Sequence, residues 1–193
     1  MDLIGILPTG KVWGYILTDL IVDTRNAFKK VGKSVSLDIL TERPYPIPRL
    51  AFDVNLGKHR VEGFFVEALD IKTEVERMHD ISIDRMLVLT DVDLCNPPDN
   101  KDGFGYADTH LLFAIVSIYR LQKGADRLTL KERLVKESLH ELGHTYGLDH
   151  CPDSSCPMYC SKSVQEIDQK SAEFCPHCAD MLSDSGYGEY WGV

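Results

Sequence analysis

Apolar and polar positions along this chain fall into stretches of two different periods, and the change from one to the other marks out the elements. Leu3-Ile4-Gly5-Ile6-Leu7 and Ser34-Val35-Ser36-Leu37-Asp38-Ile39-Leu40 suit strands, the first too continuously apolar to face water. Between them the spacing from Ile16 to Lys30 predicts a helix, which makes the start of a βαβ unit. Pro44, Pro46 and Pro48 follow within one short segment and require an extended surface loop. Glu62 to His79 suits a second helix, with Gly63 and the Phe64-Phe65 pair blurring its start. Met86-Leu87-Val88-Leu89-Thr90 reads as a third, buried strand, and Asn96-Pro97-Pro98-Asp99-Asn100 as a turn. Phe104 to Ala107 and Leu111 to Ile118 pair as a hairpin around Asp108-Thr109-His110, with His110 a turn residue. Thr129-Leu130-Lys131-Glu132 is a capping box that opens a helix, and Leu130, Leu134, Leu139 and Leu142 form its inward stripe.

Length and composition narrow the class. A chain of 193 residues with 44% hydrophobic content buries one good core and favours a single domain. The longest apolar run, Leu111 to Tyr119, is interrupted by Ser117 and is far short of a membrane span. The net charge of −9 works against nucleic acid and anionic membranes as partners, and favours a basic peptide.

The chemistry is concentrated at the end of the capped helix. His140 and His144 sit four apart, so on a helix both imidazoles project from one face toward a single ion. Glu141 lies beside them as a general base for a water at that ion. A straight helix would carry His150 away, and Gly147 is placed to end it in the left-handed conformation and return His150 as the third ligand. Three protein ligands leave one position open, which separates a catalytic zinc from a closed structural one. Solvated histidines on a surface helix are the plainer alternative, but they leave the glycine, the third histidine and the later Met158 as coincidences. Gly143 inside the helix calls for a close approach of another backbone, and Glu137, one turn before Glu141, reads as a solvated charge.

Five of the six cysteines fall between Cys151 and Cys178. Cys175-Pro176-His177-Cys178 is a knuckle whose two thiolates bind one side of a tetrahedral zinc, and two more sulfurs must come from Cys151, Cys156 and Cys160. Disulfides are the alternative, and the N-terminus Met1-Asp2-Leu3-Ile4 lacks the basic start of a signal peptide that an oxidising compartment would call for. A redox C-x-x-C belongs at the head of a helix after a strand, whereas this one follows a polar run near the chain end. His177 reads as solvated.

These motifs resemble those of the archaemetzincins, a family of metzincin-clan zinc metallopeptidases. The family pattern runs H-E-x-x-H-x-x-G-x-x-H-C, four residues, C-x-M and a later C-x-x-C. The resemblance implies that His140, His144 and His150 hold a catalytic zinc, that Glu141 is the base, and that Met158 forms the methionine turn beneath the ion. It also implies that Cys151, Cys156, Cys175 and Cys178 hold a structural zinc. Sixteen residues separate Met158 from Cys175, one fewer than the family's usual spacing. Cys160 falls outside the pattern, as a small core residue, a free thiol or a substitute for Cys156. Gly103-Phe104-Gly105-Tyr106-Ala107 and Ser117-Ile118-Tyr119-Arg120-Leu121 resemble family segments more loosely.

The fold so implied is α/β (α+β) and metzincin-like: a twisted, mostly parallel sheet with an antiparallel edge strand, an active-site helix and a small zinc-stapled C-terminal subdomain. Residues 1–193 would form one metallopeptidase domain, divided into 1–147, with the active-site helix at about 129–147, and 148–193 with the methionine turn and the four-cysteine site. The implied function is peptide-bond hydrolysis through Glu-assisted attack of zinc-bound water, with two zinc ions per chain, by a cytoplasmic monomer that takes a peptide substrate and binds neither nucleic acid nor membrane. Gly103, Phe104, Gly105, Tyr106 and Ala107 are the candidate edge strand for substrate, although an ordinary core hairpin fits the same pattern. Tyr159 either donates to the developing oxyanion or simply packs. A zinc-containing scaffold, or an amidohydrolase acting on non-peptide amides, are the competing functions.

Overall fold

A computed structural model describes residues 1–12, 14–96 and 101–184. Strand β1 (Asp2–Pro8), helix α1 (Gly14–Lys30) and strand β2 (Val35–Ile39) form the expected βαβ unit, with β1 and β2 parallel. A 3-10 turn at Arg49–Ala51 leads into the short strands β3 (Phe52–Asp53) and β4 (Lys58–Arg60), then helix α2 (Val61–His79). Next come β5 (Arg85–Thr90), β6 (Leu94–Asn96), β7 (Lys101–Asp102), β8 (Gly105–Asp108) and β9 (Phe113–Ser117). Helices α3 (Ile118–Leu121), α4 (Arg127–Thr145), α5 (Val164–Gln169) and α6 (Pro176–Asp184) complete the chain. Pro97 to Asn100 of the expected turn lie outside the described residues.

The main sheet has the order β2-β1-β5-β9-β8, parallel except for β8, which pairs antiparallel with β9 at the edge. Helices cover both faces, and the strands divide their side chains between them with a period of two. Leu87, Leu89, Ala114 and Val116 join the cluster built on α1 and α4, whereas Met86, Val88, Phe113 and Ile115 join the cluster built on α2. This explains why every residue of β5 is buried and why its centre, Met86 to Leu89, is continuously apolar. Ile167, Phe174 and Leu182 of the C-terminal segment enter the same cluster as α1 and α4.

Several local expectations need revision. A second, four-stranded sheet of order β3-β4-β6-β7 was not legible, because its strands are only two or three residues long. The proline segment is pinned to the main sheet, since Tyr45 N–H donates to Pro8 O at 2.7 Å and Gly10 N–H to Tyr45 O at 2.8 Å. Helix α4 begins earlier than Thr129: Asp126 is the N-cap, its carboxylate accepting from Thr129 N–H at 2.8 Å. Gly63 belongs within α2, where a Cβ would stand 2.6 Å from the Ala51 backbone. No helix among the described residues is long and apolar enough to cross a membrane.

Candidate active site

Helix α4 carries the first two histidines and then stops abruptly. Gly147 takes φ +85°, Gly147 N–H donates to His144 O at 2.9 Å, and Leu148 N–H reaches back to Gly143 O at 3.0 Å. This pair of bonds is a Schellman motif, which satisfies helix carbonyls that would otherwise lack donors. The reversal brings His150 back toward the helix. The ring centroids of His140 and His144 are 4.6 Å apart, and those of His150 lie 5.3 Å from His140 and 4.9 Å from His144.

Hydrogen bonds fix which nitrogen of each helix histidine is free. His140 Nδ1–H donates to Pro157 O at 2.8 Å and His144 Nδ1–H donates to Leu148 O at 2.7 Å; a carbonyl only accepts, so both Nδ1 atoms carry the proton. Both Nε2 atoms then carry bare lone pairs, and they face each other at 3.2 Å. Two lone pairs at that distance repel unless a cation lies between them. Zinc bonds of about 2.0–2.1 Å in tetrahedral geometry place neighbouring nitrogens about 3.3–3.4 Å apart, so the pair fits that ion. One ligand nitrogen from each of His140, His144 and His150 lies within 4.8 Å of the others. Burial holds His140 well below the ordinary imidazole range and His144 below it, so both present neutral rings. His150 is exposed, which leaves one side of the triad open to solvent.

Glu141 is buried beside them. Burial raises its carboxyl well above the ordinary range, the Glu137 carboxylate adds to the rise, and Lys170 opposes it. Strand β8 lies directly against this side chain: a Cβ on Gly105 would stand 2.7 Å from Glu141 Cγ and Oε1. Phe104 O accepts from Ser117 N–H at 2.8 Å, so by antiparallel alternation Gly105 and Ala107 turn their backbone groups outward. Of these, Gly105 O is already taken by Asn96 Nδ2 at 2.7 Å. Met158 is fully buried, and its sulfur occupies the space that a Cβ at Gly143 would need, 2.4 Å from that position. The close approach expected at Gly143 is therefore made by a thioether, not by a backbone.

The cysteine cluster gathers Cys151, Cys156, Cys175 and Cys178, whose sulfurs lie within 4.8 Å of one another. Cys151 Sγ and Cys175 Sγ are 3.8 Å apart, far beyond a disulfide bond of about 2.05 Å. It is the sulfur–sulfur edge expected of a tetrahedron with zinc bonds of about 2.3 Å. Cys160 is exposed and outside the cluster, so it neither packs in the core nor replaces Cys156. His177 and His110 are exposed, as expected.

Sequence reasoning misplaced Glu137 and missed its partner. Glu137 is buried and pairs with Lys170 Nζ at 2.9 Å, with side-chain exposures of 5% and 0%. The lysine could have been noticed as one of two cations in the otherwise acidic stretch after Gly147. The Pro157 and Leu148 carbonyls that orient the histidines carry no side-chain signal at all.

Comparison with known proteins agrees with this geometry. The profile of Peptidase family M54 matches residues 1–184. The chain is 33% identical to an archaemetzincin of Thermococcus kodakarensis, over 94% of this chain and 96% of that protein. Among solved structures, the crystal structure of a zinc-dependent peptidase from Methanocorpusculum labreanum superposes with a TM-score of 0.77 at 26% identity, covering 93% of this chain and 99% of the other. The crystal structure of an archaemetzincin from Methanopyrus kandleri gives 0.71 at 31% identity, covering 94% and 93%.

Proposed function

The chain belongs to peptidase family M54, and from that premise we propose a division of labour for a zinc-dependent metallopeptidase acting on peptides. His140, His144 and His150 hold a catalytic zinc, and Cys151, Cys156, Cys175 and Cys178 hold a second, structural zinc, making two ions per chain. The observation that carries this reading is the pair of unprotonated Nε2 atoms facing each other at 3.2 Å, with both Nδ1 atoms committed to carbonyls. When bound, zinc supplies Lewis acidity that polarises a carbonyl and acidifies a water molecule.

Glu141 is the group that moves the proton. Its carboxylate takes a proton from the attacking water and delivers it to the departing amine, so one residue serves as base and then as acid. Burial supports the role, because a carboxyl held above its ordinary range binds a proton more readily than an exposed one. Gly105 lets strand β8 lie against that carboxylate, so a peptide adding to the edge at Gly103 to Ala107 would run past the base. With Gly105 O occupied by Asn96, Gly105 N–H and both backbone groups of Ala107 are the outward partners left at these two positions. Tyr159, half-buried just after Met158, is the side chain assigned to the oxyanion. Met158 packs beneath the ligands without a chemical role.

Residues 1–193 form one domain in this reading, and the protein is a cytoplasmic monomer that binds neither nucleic acid nor membrane. Six free cysteines support a reducing compartment, and the net charge of −9 opposes nucleic acid. Glu141→Gln should keep two zinc ions per chain by elemental mass spectrometry while peptide turnover disappears. Wild-type turnover in that variant would sink the assignment. His144→Ala should lower the ratio from two to one.

A further inference from the structure

We propose that the four-cysteine site positions the histidine site, so that filling the first raises the metal affinity of the second and the two ions bind cooperatively. The inference rests on the reading of both clusters as zinc sites.

Connectivity carries the argument. His150 and Cys151 are consecutive, so a single peptide bond joins a ligand of one cluster to a ligand of the other. Cys151 N–H donates to Met158 O at 2.9 Å, which closes residues 151–158 into a loop. Inside that loop Cys156 is followed directly by Pro157, whose carbonyl accepts from His140 Nδ1 at 2.8 Å. The loop is tied to the later cysteines by the 3.8 Å approach of Cys151 and Cys175 and by Ser171 N–H donating to Ser155 O at 2.6 Å. Two of the four sulfurs therefore hold the loop that delivers the third histidine and selects the tautomer of the first.

His144 is different. Its orienting carbonyl, Leu148 O, is supplied by the Schellman turn of its own helix. Without a cation nothing joins the four sulfurs, and the loop loses the tie that sets His150 and the Pro157 carbonyl. His144 would stay in place while its two partners drift. Loss of an orienting partner typically costs about 10–100-fold in metal affinity. Here one such partner and one ligand are loosened together, so a weakening of at least about tenfold is expected.

The test uses the full chain and zinc itself as the probe, in competition with chromogenic chelators. Wild-type protein must first bind two zinc ions per chain; a lower ratio would overturn the site reading, and this proposal with it. In Cys175→Ser/Cys178→Ser, with circular dichroism showing the α/β core retained, the zinc dissociation constant of the histidine site should rise at least about tenfold. An unchanged constant would overturn the coupling and leave the two sites standing. Linkage is reciprocal, so in the wild-type protein zinc at the cysteine site should be held more tightly, by the same factor, when the histidine site is filled than when it is empty. That measurement decides the matter if the cysteine variant does not fold, and a cysteine site held equally tightly whether the histidine site is filled or empty would overturn the proposal.

Discussion

Gly143 shows how much one hydrogen atom can decide in this protein. Alanine is ordinarily better than glycine inside a helix by about 0.5–1 kcal/mol. At this position, however, the added carbon would stand 2.4 Å from the sulfur of a fully buried Met158. Overpacking a tight core costs about 1–3 kcal/mol, so Gly143→Ala should be net destabilising by about 1–2 kcal/mol. Urea unfolding of the zinc-loaded protein measures it, and a variant as stable as wild type would mean that Met158 moves aside freely. Spacing in the sequence indicated that something approaches this glycine, but not what. A rotamer fifteen residues downstream is set by packing, which leaves no periodic trace. The histidines and cysteines were legible for the opposite reason: an ion restricts both the type and the spacing of its ligands.

Helices and the main sheet were readable because each obeys a single period, and the errors fall where two elements meet. The leucine stripe of α4 correctly identified one buried face, with Leu130, Leu134, Leu139 and Leu142 all at 5% exposure or less. On its other side Glu137 was read as a solvated charge. Residues 133 to 143 are in fact all buried, since α5 and the segment after it lie across that side. Arg133 makes a two-pronged contact with Asp168 at 2.7 and 2.8 Å, Lys136 donates to Asp168 O at 3.2 Å, and Glu137 meets Lys170. Charges on α4 are therefore the attachment of the C-terminal segment to the active-site helix. Removing one partner of a buried pair strands the other, at a cost of about 3–5 kcal/mol. Lys170→Met should lose stability on that scale, and adding Glu137→Gln should recover part of it. A double variant that loses the sum of the two single effects would show that the pair is not coupled.

At the scale of the whole molecule, metal and proton compete for one cleft whose two helix histidines are withdrawn from solvent, His140 fully and His144 in part. The spacing of the histidines and cysteines, through its resemblance to the archaemetzincins, was enough to infer a zinc peptidase. The small second sheet and the carbonyl supports were hidden, being short or made of backbone alone. One consequence is a pH dependence that belongs to the fold itself. Burial depresses His140 strongly and His144 to a lesser degree from the ordinary value of 6.5, so the unfolded chain takes up protons that the folded chain refuses. Their contribution to stability is therefore fully present above about pH 6.5 and is lost as the pH falls below it. Each imidazole that stays neutral in the fold adds a slope of about 1.4 kcal/mol per pH unit in that range. Urea unfolding between about pH 7.5 and 5.5, on protein stripped at the histidine site by mild chelation, should show stability falling toward the acid end. Zinc in excess should raise the whole curve, because it binds the folded chain and requires neutral imidazoles. The gap between the two curves should narrow as protons displace the ion. A stripped protein equally stable at both ends would mean that these rings charge without resistance, contrary to their burial.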